Sequence, residues 1–251
     1  MRDGSNLKQR LQDGDKLLGV LVRMPSEELV EMAAVAGMDY VLIDCEHGPA
    51  DQLALRAHVT AAEAQGIGTI IRVGQGEPAM VQRALDLGVE GIVMPHIDTV
   101  SDAREFVRQT HYPPFGERGF ATYGRTGRFG QRSQEEHLAS ALDTVLTIAM
   151  IESTQACENA HDILAVDGVD GVLCGPADLA ASSGYVDSSD DRVKTAIAQA
   201  HSAIGPDKLR MDIVGDSDRV RESFEAGASM VVVNLTHSIM HMLQALRRSK
   251  R

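Results

Sequence analysis

The chain has 251 residues, 43% of them hydrophobic, and a formal net charge of −12. That length suits one (β/α)8 barrel domain over 1–251 better than two small domains. The acidic balance argues against a nucleic-acid partner, and no apolar run is long enough to span a bilayer.

Two further readings concern compartment. The start, Met1 to Asn6, lacks the apolar stretch of a signal peptide, so a cytoplasmic location is expected. Cys45, Cys157 and Cys174 show no zinc-ligand spacing and read as reduced core residues.

Strand-like and helix-like segments alternate along the chain, the pattern of βαβ units. The first strand runs from Leu17 to Val22. Ser26 reads as the N-cap of a helix that Gly37 stops. Strands are expected at Tyr40–Asp44, Thr69–Val73 and Gly91–Met94, with helices from about Asp51 to Gln65, Glu77 to Leu87 and Val100 to Thr110. The stretch from His111 to Arg132 has no periodicity and is rich in Gly, Pro and Arg. A helix follows from about Gln134 to Asp143, then a strand at Leu146–Ile151 and a helix from about Gln155 to Leu164. Asp170–Cys174 is the sixth strand, and Ser182–Asp190 a polar loop. A helix from about Asp191, a weak strand at Lys208–Ile213, a helix at Ser217–Glu225, a strand at Ser229–Asn234 and a last helix to Arg248 complete the chain. Roughly eight strands and eight helices match a barrel. A doubly wound open sheet fits less well, because no Gly-rich nucleotide turn follows the first strand.

Charged residues stand where the apolar runs end. Tyr40 to Ile43 leads into Asp44, Cys45, Glu46 and His47; Thr69 to Ile71 ends at Arg72; Leu146 to Ile151 ends at Glu152. Gly171 to Cys174 leads into Gly175, Pro176, Ala177 and Asp178. Such placement predicts one shared functional end, the C-terminal face of a parallel barrel.

Glu152 and Asp178 follow adjacent strands, and two carboxylates with open water positions suit a divalent cation such as Mg²⁺ or Mn²⁺. The plainer alternatives are a helix N-cap for Asp178 and a surface charge for Glu152. His47, three residues after Asp44, reads as an acid–base group oriented by that carboxylate, or as a simple loop histidine. Arg72 at a strand end needs an anionic partner, either an oxyanion or a salt bridge to Asp44 or Asp86. The small residues Gly175 to Ala177 let a ligand approach backbone N–H groups, although Gly-Pro also marks ordinary turns. No lysine stands at the end of an internal strand. Arg125, Arg128 and Arg132 read as contacts for an anionic substrate tail, aided by a neighbouring subunit, or as a solvated loop. His237 and His241 have i,i+4 spacing without an acidic partner between them and read as a helix face.

These residues together resemble the HpcH/HpaI group of class II pyruvate aldolases, the hydroxy-keto-acid aldolases. The resemblance is carried by the motifs Ile43 to Pro49, Ile71 to Val73, Arg83 to Ile92 and Met94 to His96, then by Tyr112 to Gly119, Met150 to Glu152 and Gly175 to Leu179, in family order. It implies a modified (β/α)8 barrel whose C-terminal helix packs on a neighbouring subunit, commonly in hexamers. It further implies a divalent metal (Mg²⁺ or Mn²⁺, with Co²⁺ or Zn²⁺ as alternatives) held at Glu152 and Asp178 and chelated by pyruvate. His47, polarised by Asp44, would serve the acid–base steps. Arg72 would steady the keto or enolate oxygen, and the backbone of Ala177 and Asp178 would receive the pyruvate carboxylate. Met150 departs from the family's common Gln, and Asn234 to Thr236 departs from its usual Gly and Asp. The expected activity is cleavage of a 4-hydroxy-2-keto acid to pyruvate and an aldehyde. The competing readings are a citrate-lyase-like lyase on a CoA thioester and a non-catalytic barrel that binds a keto acid.

Overall fold

Eight apolar runs form eight parallel strands that pair in chain order and close into a barrel. They are β1 (Leu17–Val22), β2 (Tyr40–Asp44), β3 (Gly68–Arg72), β4 (Gly91–Met94), β5 (Leu146–Ile151), β6 (Gly171–Cys174), β7 (Leu209–Val214) and β8 (Met230–Asn234). The closing pair is β1 with β8, from Leu17 opposite Met230 to Leu21 opposite Asn234. The computed structural model describes residues 6–48, 51–185 and 187–250. Residues Met1 to Ser5, Pro49 of the Ile43 to Pro49 motif, and Val186 of the expected polar loop lie outside them.

The helices are α1 (Leu7–Gln12), α2 (Glu27–Val35), α3 (Gln52–Gln65), α4 (Pro78–Leu87), α5 (Val100–Thr110), α6 (Gln134–Thr144), α7 (Thr154–Leu164), α8 (Pro176–Ser182), α9 (Asp191–Ser202), α10 (Ser217–Glu225) and α11 (Leu235–Arg248). Eleven among the described residues exceeds the expected eight or so. The two wholly unexpected ones, α1 and α8, span six and seven residues. Fewer than two turns cannot display a 3.6-residue period, so neither stands out in sequence.

Strand parity sorts the core into two layers. Leu17, Leu21, Leu42, Ile70, Val93, Ile148, Met150, Leu173, Met211 and Val232 pack together with Leu7 and Leu11 of α1 as the barrel interior. Alternate residues such as Val20, Val22, Val41, Ile43, Ile71, Ile92, Ala149 and Ile151 pack outward beneath the helices. Gly19 and Gly68 are interior positions kept empty for neighbours. A Cβ on Gly19 would stand 2.6 Å from the Tyr40 ring, and one on Gly68 would meet Leu7 at 2.5 Å. Helix α1 therefore plugs the N-terminal end of the barrel. The Leu7 N–H donates to Glu90 at 2.7 Å, and Lys8 pairs with Asp170 at 2.9 Å. With that end closed, the C-terminal ends of the strands form the accessible mouth.

Candidate active site at the barrel mouth

The interior parity does not stop where the apolar residues do. Continuing Leu42 by two gives Asp44, continuing Ile70 gives Arg72, and continuing Ile148 and Met150 gives Glu152. The same step from Leu21 gives Arg23, and from Leu173 gives Gly175. A side chain on this register faces the mouth, so the charges at the strand ends converge.

Asp44 and Arg72 are register partners on β2 and β3, and both are buried. Arg72 donates from Nε to Asp44 Oδ1 at 3.0 Å and from Nη2 to Oδ2 at 2.6 Å. Arg23 Nε donates to the same Oδ2 at 2.7 Å. The backbone N–H groups of Glu46 and His47 each donate to Oδ1 at 3.2 Å. Burial alone would raise the Asp44 pKa, but the guanidinium partners win and hold it at about 2. Arg72 also lies 3.3 Å from Glu46 Oε2, and its Nη1 faces the Met150 sulfur at 3.7 Å. Thioether sulfur is a weak acceptor, so that N–H edge keeps donating capacity.

These contacts revise one expectation. Asp44 was expected to orient the His47 imidazole, but its oxygens serve two arginines and the His47 backbone instead. The carboxylate nearest the ring is Glu46, at 3.9 Å from Nε2, and the His47 side chain is 55% exposed. The salt-bridge alternative for Arg72 holds with Asp44 and not with Asp86, which bonds Arg118 at 2.8 Å.

Glu152 is buried, which removes the surface-charge alternative. Its Oε1 accepts from the His96 backbone N–H at 2.7 Å and lies 3.1 Å from His96 Nδ1. His96 sits in the left-handed region at φ 53, a costly conformation for a non-glycine residue. It has no role assigned from sequence; the available signal is a polar residue two positions past Met94, the last residue of β4. Oε2 points at Gly175, where a Cβ would stand 3.1 Å away. Burial raises the Glu152 pKa, and the neighbouring Asp178 and Glu46 carboxylates add to that rise against His96. Asp178 is in the first turn of α8, whose N-cap is Gly175 and not Asp178. That turn has Pro176 at its start and no side-chain cap, leaving its N–H groups for another acceptor.

The donor set fits a divalent cation of the oxygen-seeking kind. Glu152 offers the free oxygen Oε2 in a space that glycine keeps open, beside a second carboxylate, Asp178. Among the described residues no cluster of three or more His, Cys, Asp or Glu could hold a metal. The protein thus offers two carboxylates and leaves the other positions to water or substrate, unlike a closed zinc site. His237 and His241, both exposed, belong to the surface of α11.

The loop between α5 and α6 lies at the other end of the barrel. Its Arg118 reaches Asp86 in the last turn of α4, and Arg125 pairs with Glu63 at the end of α3 and donates to the Leu87 carbonyl. An α-to-β connection returns the chain to the N-terminal face, so Arg125, Arg128 and Arg132 do not join Glu152 within one chain. They line a cleft of about 780 Å³ on that far face. The three cysteines are free and buried, and burial pushes the Cys45 and Cys174 thiols up to about 12, so neither is a nucleophile.

Fold and mouth together define a parallel barrel that gathers a buried arginine and converging carboxylates at the C-terminal ends of its strands, where barrel enzymes carry their active sites. A family model described as HpcH/HpaI aldolase/citrate lyase matches residues 18–242. The 2-keto-3-deoxy-L-rhamnonate aldolase of Escherichia coli (strain K12) is 36% identical over 183 residues, covering 72% of this chain and 68% of that protein. Crystal structures agree. An HpcH/HpaI aldolase/citrate lyase family protein from Burkholderia cenocepacia J2315 superposes with a TM-score of 0.89 at 34% identity, over 98% of this chain and 99% of that one. An HpcH/HpaI aldolase from Desulfitobacterium hafniense DCB-2 gives 0.90 at 28% identity, over 98% and 97%. The chain belongs to the HpcH/HpaI aldolase/citrate lyase family. It is a class II, metal-dependent aldolase that reversibly cleaves a 4-hydroxy-2-keto acid to pyruvate and an aldehyde. Among the described residues no helix is long and apolar enough to cross a membrane.

Proposed function

We propose that the substrate is a 2-keto-3-deoxy sugar acid or a close analogue, cleaved to pyruvate and a hydroxyaldehyde at the mouth built by β1 to β6. The observation that carries this is the pairing of a buried Arg72, whose Nη1 edge meets only the weakly accepting Met150 sulfur at 3.7 Å, and a buried Glu152 whose Oε2 faces the bare backbone of Gly175. The similarity to the rhamnonate-derived keto-acid aldolase supports the substrate class.

Glu152 and Asp178 would hold the cation, with Mg²⁺ or Mn²⁺ preferred for an all-oxygen set. When bound, the cation supplies Lewis-acid polarisation of the keto oxygen. Arg72 Nη1 donates to that same oxygen as negative charge develops on it. The uncapped first turn of α8, at Ala177 and Asp178, receives the substrate carboxylate, and the absent side chain of Gly175 lets it approach. His47 is exposed enough to exchange protons with water. It takes the 4-hydroxyl proton through a water molecule, the C3–C4 bond breaks, its electron pair passes into the enolate, and the proton returns by the same route to C3 to give pyruvate. Asp44 holds Arg72 in place through both of its oxygens.

Two companion readings belong to the same proposal. The 251 residues act as one aldolase unit, and copies of it associate. Helix α11 has no buried residue, and Met240, Met242, Leu243 and Leu246 are exposed along it. An apolar stripe of that kind supports burial against a second copy. Through such an assembly the α5–α6 loop of one subunit would approach the mouth of another. Three free cysteines support a reducing, cytoplasmic setting.

The test is turnover of a panel of 4-hydroxy-2-keto acids with pyruvate detection, with and without Mg²⁺, Mn²⁺, Co²⁺ and Zn²⁺. Metal-stimulated pyruvate release from the sugar-acid members is expected. Release only from CoA thioesters, or no turnover with any metal, would overturn the reading.

A further inference from the structure

Beyond the residues discussed so far as substrate contacts, the mouth contains a second arginine. Arg23 is the first residue past β1, and the register pairing of Val22 with Ile43 sets it level with Asp44. Asp44 is in turn the register partner of Arg72. Arg23, Asp44 and Arg72 therefore stand side by side at the ends of three consecutive strands, all on the interior parity. Their side chains meet: Arg23 Nε and Arg72 Nη2 donate to the same Asp44 oxygen, at 2.7 and 2.6 Å.

The backbone is fitted around this arrangement. A Cβ on Gly48 would come within 2.3 Å of the Asp44 carbonyl oxygen and 3.2 Å of the Arg23 carbonyl oxygen. Only a glycine lets the loop after β2 fold back over the ends of both strands.

Charge balance gives the arrangement its meaning. Arg72 touches two carboxylates, Asp44 and Glu46. One guanidinium between two carboxylates leaves a net negative cluster, a poor environment for an oxygen that is becoming an oxyanion. A second guanidinium on Asp44 makes the count two against two among the groups in contact, and leaves the Glu152 charge, which also acts on Arg72, to the cation. The positive field at Arg72 Nη1 is then preserved. Arg23 need not touch the substrate to do this, and its side chain is only 28% exposed.

We propose that Arg23 is a positioning residue for enolate formation: by sharing Asp44 with Arg72 it offsets the Asp44 and Glu46 charges and keeps Arg72 electropositive toward the enolate oxygen. The proposal rests on the aldolase reading above. A lysine would retain the compensating charge, whereas a methionine of similar length would not.

The experiment compares wild type, Arg23→Met, Arg23→Lys and the double variant Arg23→Met/Glu46→Gln. Two readouts are taken with Mn²⁺: exchange of pyruvate methyl protons for deuterons, and calorimetric affinity for pyruvate and for oxalate, a dianion resembling the enolate. Metal-dependent exchange by wild type tests the aldolase reading itself. The ratios between variants test Arg23 alone. In Arg23→Met, exchange and oxalate affinity should each fall about tenfold, the lower end for an outer partner of a working group, while pyruvate affinity changes little. Arg23→Lys should recover most of both. Removing the Glu46 charge should restore exchange to Arg23→Met, which a merely structural loss would not allow. Unchanged exchange in Arg23→Met overturns the proposal. So does an equal loss in Arg23→Lys and Arg23→Met with no recovery in the double variant.

Discussion

Asp44 is gripped by Arg72 through two bonds, Nε to Oδ1 at 3.0 Å and Nη2 to Oδ2 at 2.6 Å, and both side chains are buried. A buried carboxylate so held is a stability element. Its pKa is about 2 in the folded chain against 3.8 for a free aspartate. Because the folded value is the lower one, the stabilisation is complete above about pH 4 and is lost as pH falls toward 2. The contribution is about 2 kcal/mol. Asp44→Asn should therefore unfold at lower urea than wild type at pH 7, and the gap should close between pH 4 and 2. A constant gap over that interval would show that the ion pair is not its source.

Glu152 and Asp178 supply the cation's protein oxygens in the proposed mechanism. Glu152→Gln and Asp178→Asn keep shape and lose charge, so each should weaken Mn²⁺ binding by more than 10-fold in calorimetry while the far-ultraviolet dichroism stays native. Wild-type affinity in either variant would remove that residue from the metal site.

Gly175 offers a steric test of the same site. Its φ of −98 is open to any residue, so backbone strain is not at issue. An added Cβ would meet the Met150 Cε at 2.8 Å and Glu152 Oε2 at 3.1 Å. The methionine tip can swing aside; the carboxylate must shift. Gly175→Ala should cost little thermal stability but lower metal affinity and turnover together. Loss of turnover with unchanged metal affinity would assign the glycine to substrate approach alone.

His58 predicts a second pH effect, near neutrality. Its Nε2 accepts the N–H of Ser26, the N-cap of α2, at 2.8 Å, and burial lowers its pKa below 6.5. His111, 2.8 Å from Thr147 Oγ1, is lowered by burial as well. A folded value below the unfolded one means stability is lost as pH falls through 6.5, where the unfolded chain takes up protons first. Urea midpoints should drop between pH 7.5 and 5.5, and the drop should shrink in His58→Gln. A flat profile over that range would contradict the neutral, buried state of these rings.

Helix α11 predicts assembly. Leu243→Asp and Leu246→Asp place charge on its exposed apolar stripe without touching the barrel. The variant should elute as a smaller species in light-scattering chromatography while its barrel keeps a native dichroism spectrum. An unchanged mass would separate α11 from the subunit contact.

The sequence determined the strands, their order and the end at which chemistry gathers. That information is local: an apolar run bounded by a charge tells where a strand leaves the core, as at Ile43–Asp44, Ile71–Arg72 and Ile151–Glu152. The family resemblance rested on the same short motifs, and the comparisons bear it out. Helices α1 and α8 were illegible because six or seven residues carry too little periodicity. What only the tertiary structure decided was partnership. Asp44 lies three residues from His47 in sequence but bonds Arg72 and Arg23, because barrel closure fixes the register of β1, β2 and β3 at their ends. His96 reaches Glu152 only because β4 and β5 are neighbours. The Arg125 loop, basic enough in sequence to suggest a substrate contact, lies on the opposite face, since every α-to-β connection of a parallel barrel returns there. Composition and period act through nearest neighbours along the chain; which charges meet is set by strand register and by the end of the barrel at which each connection lies.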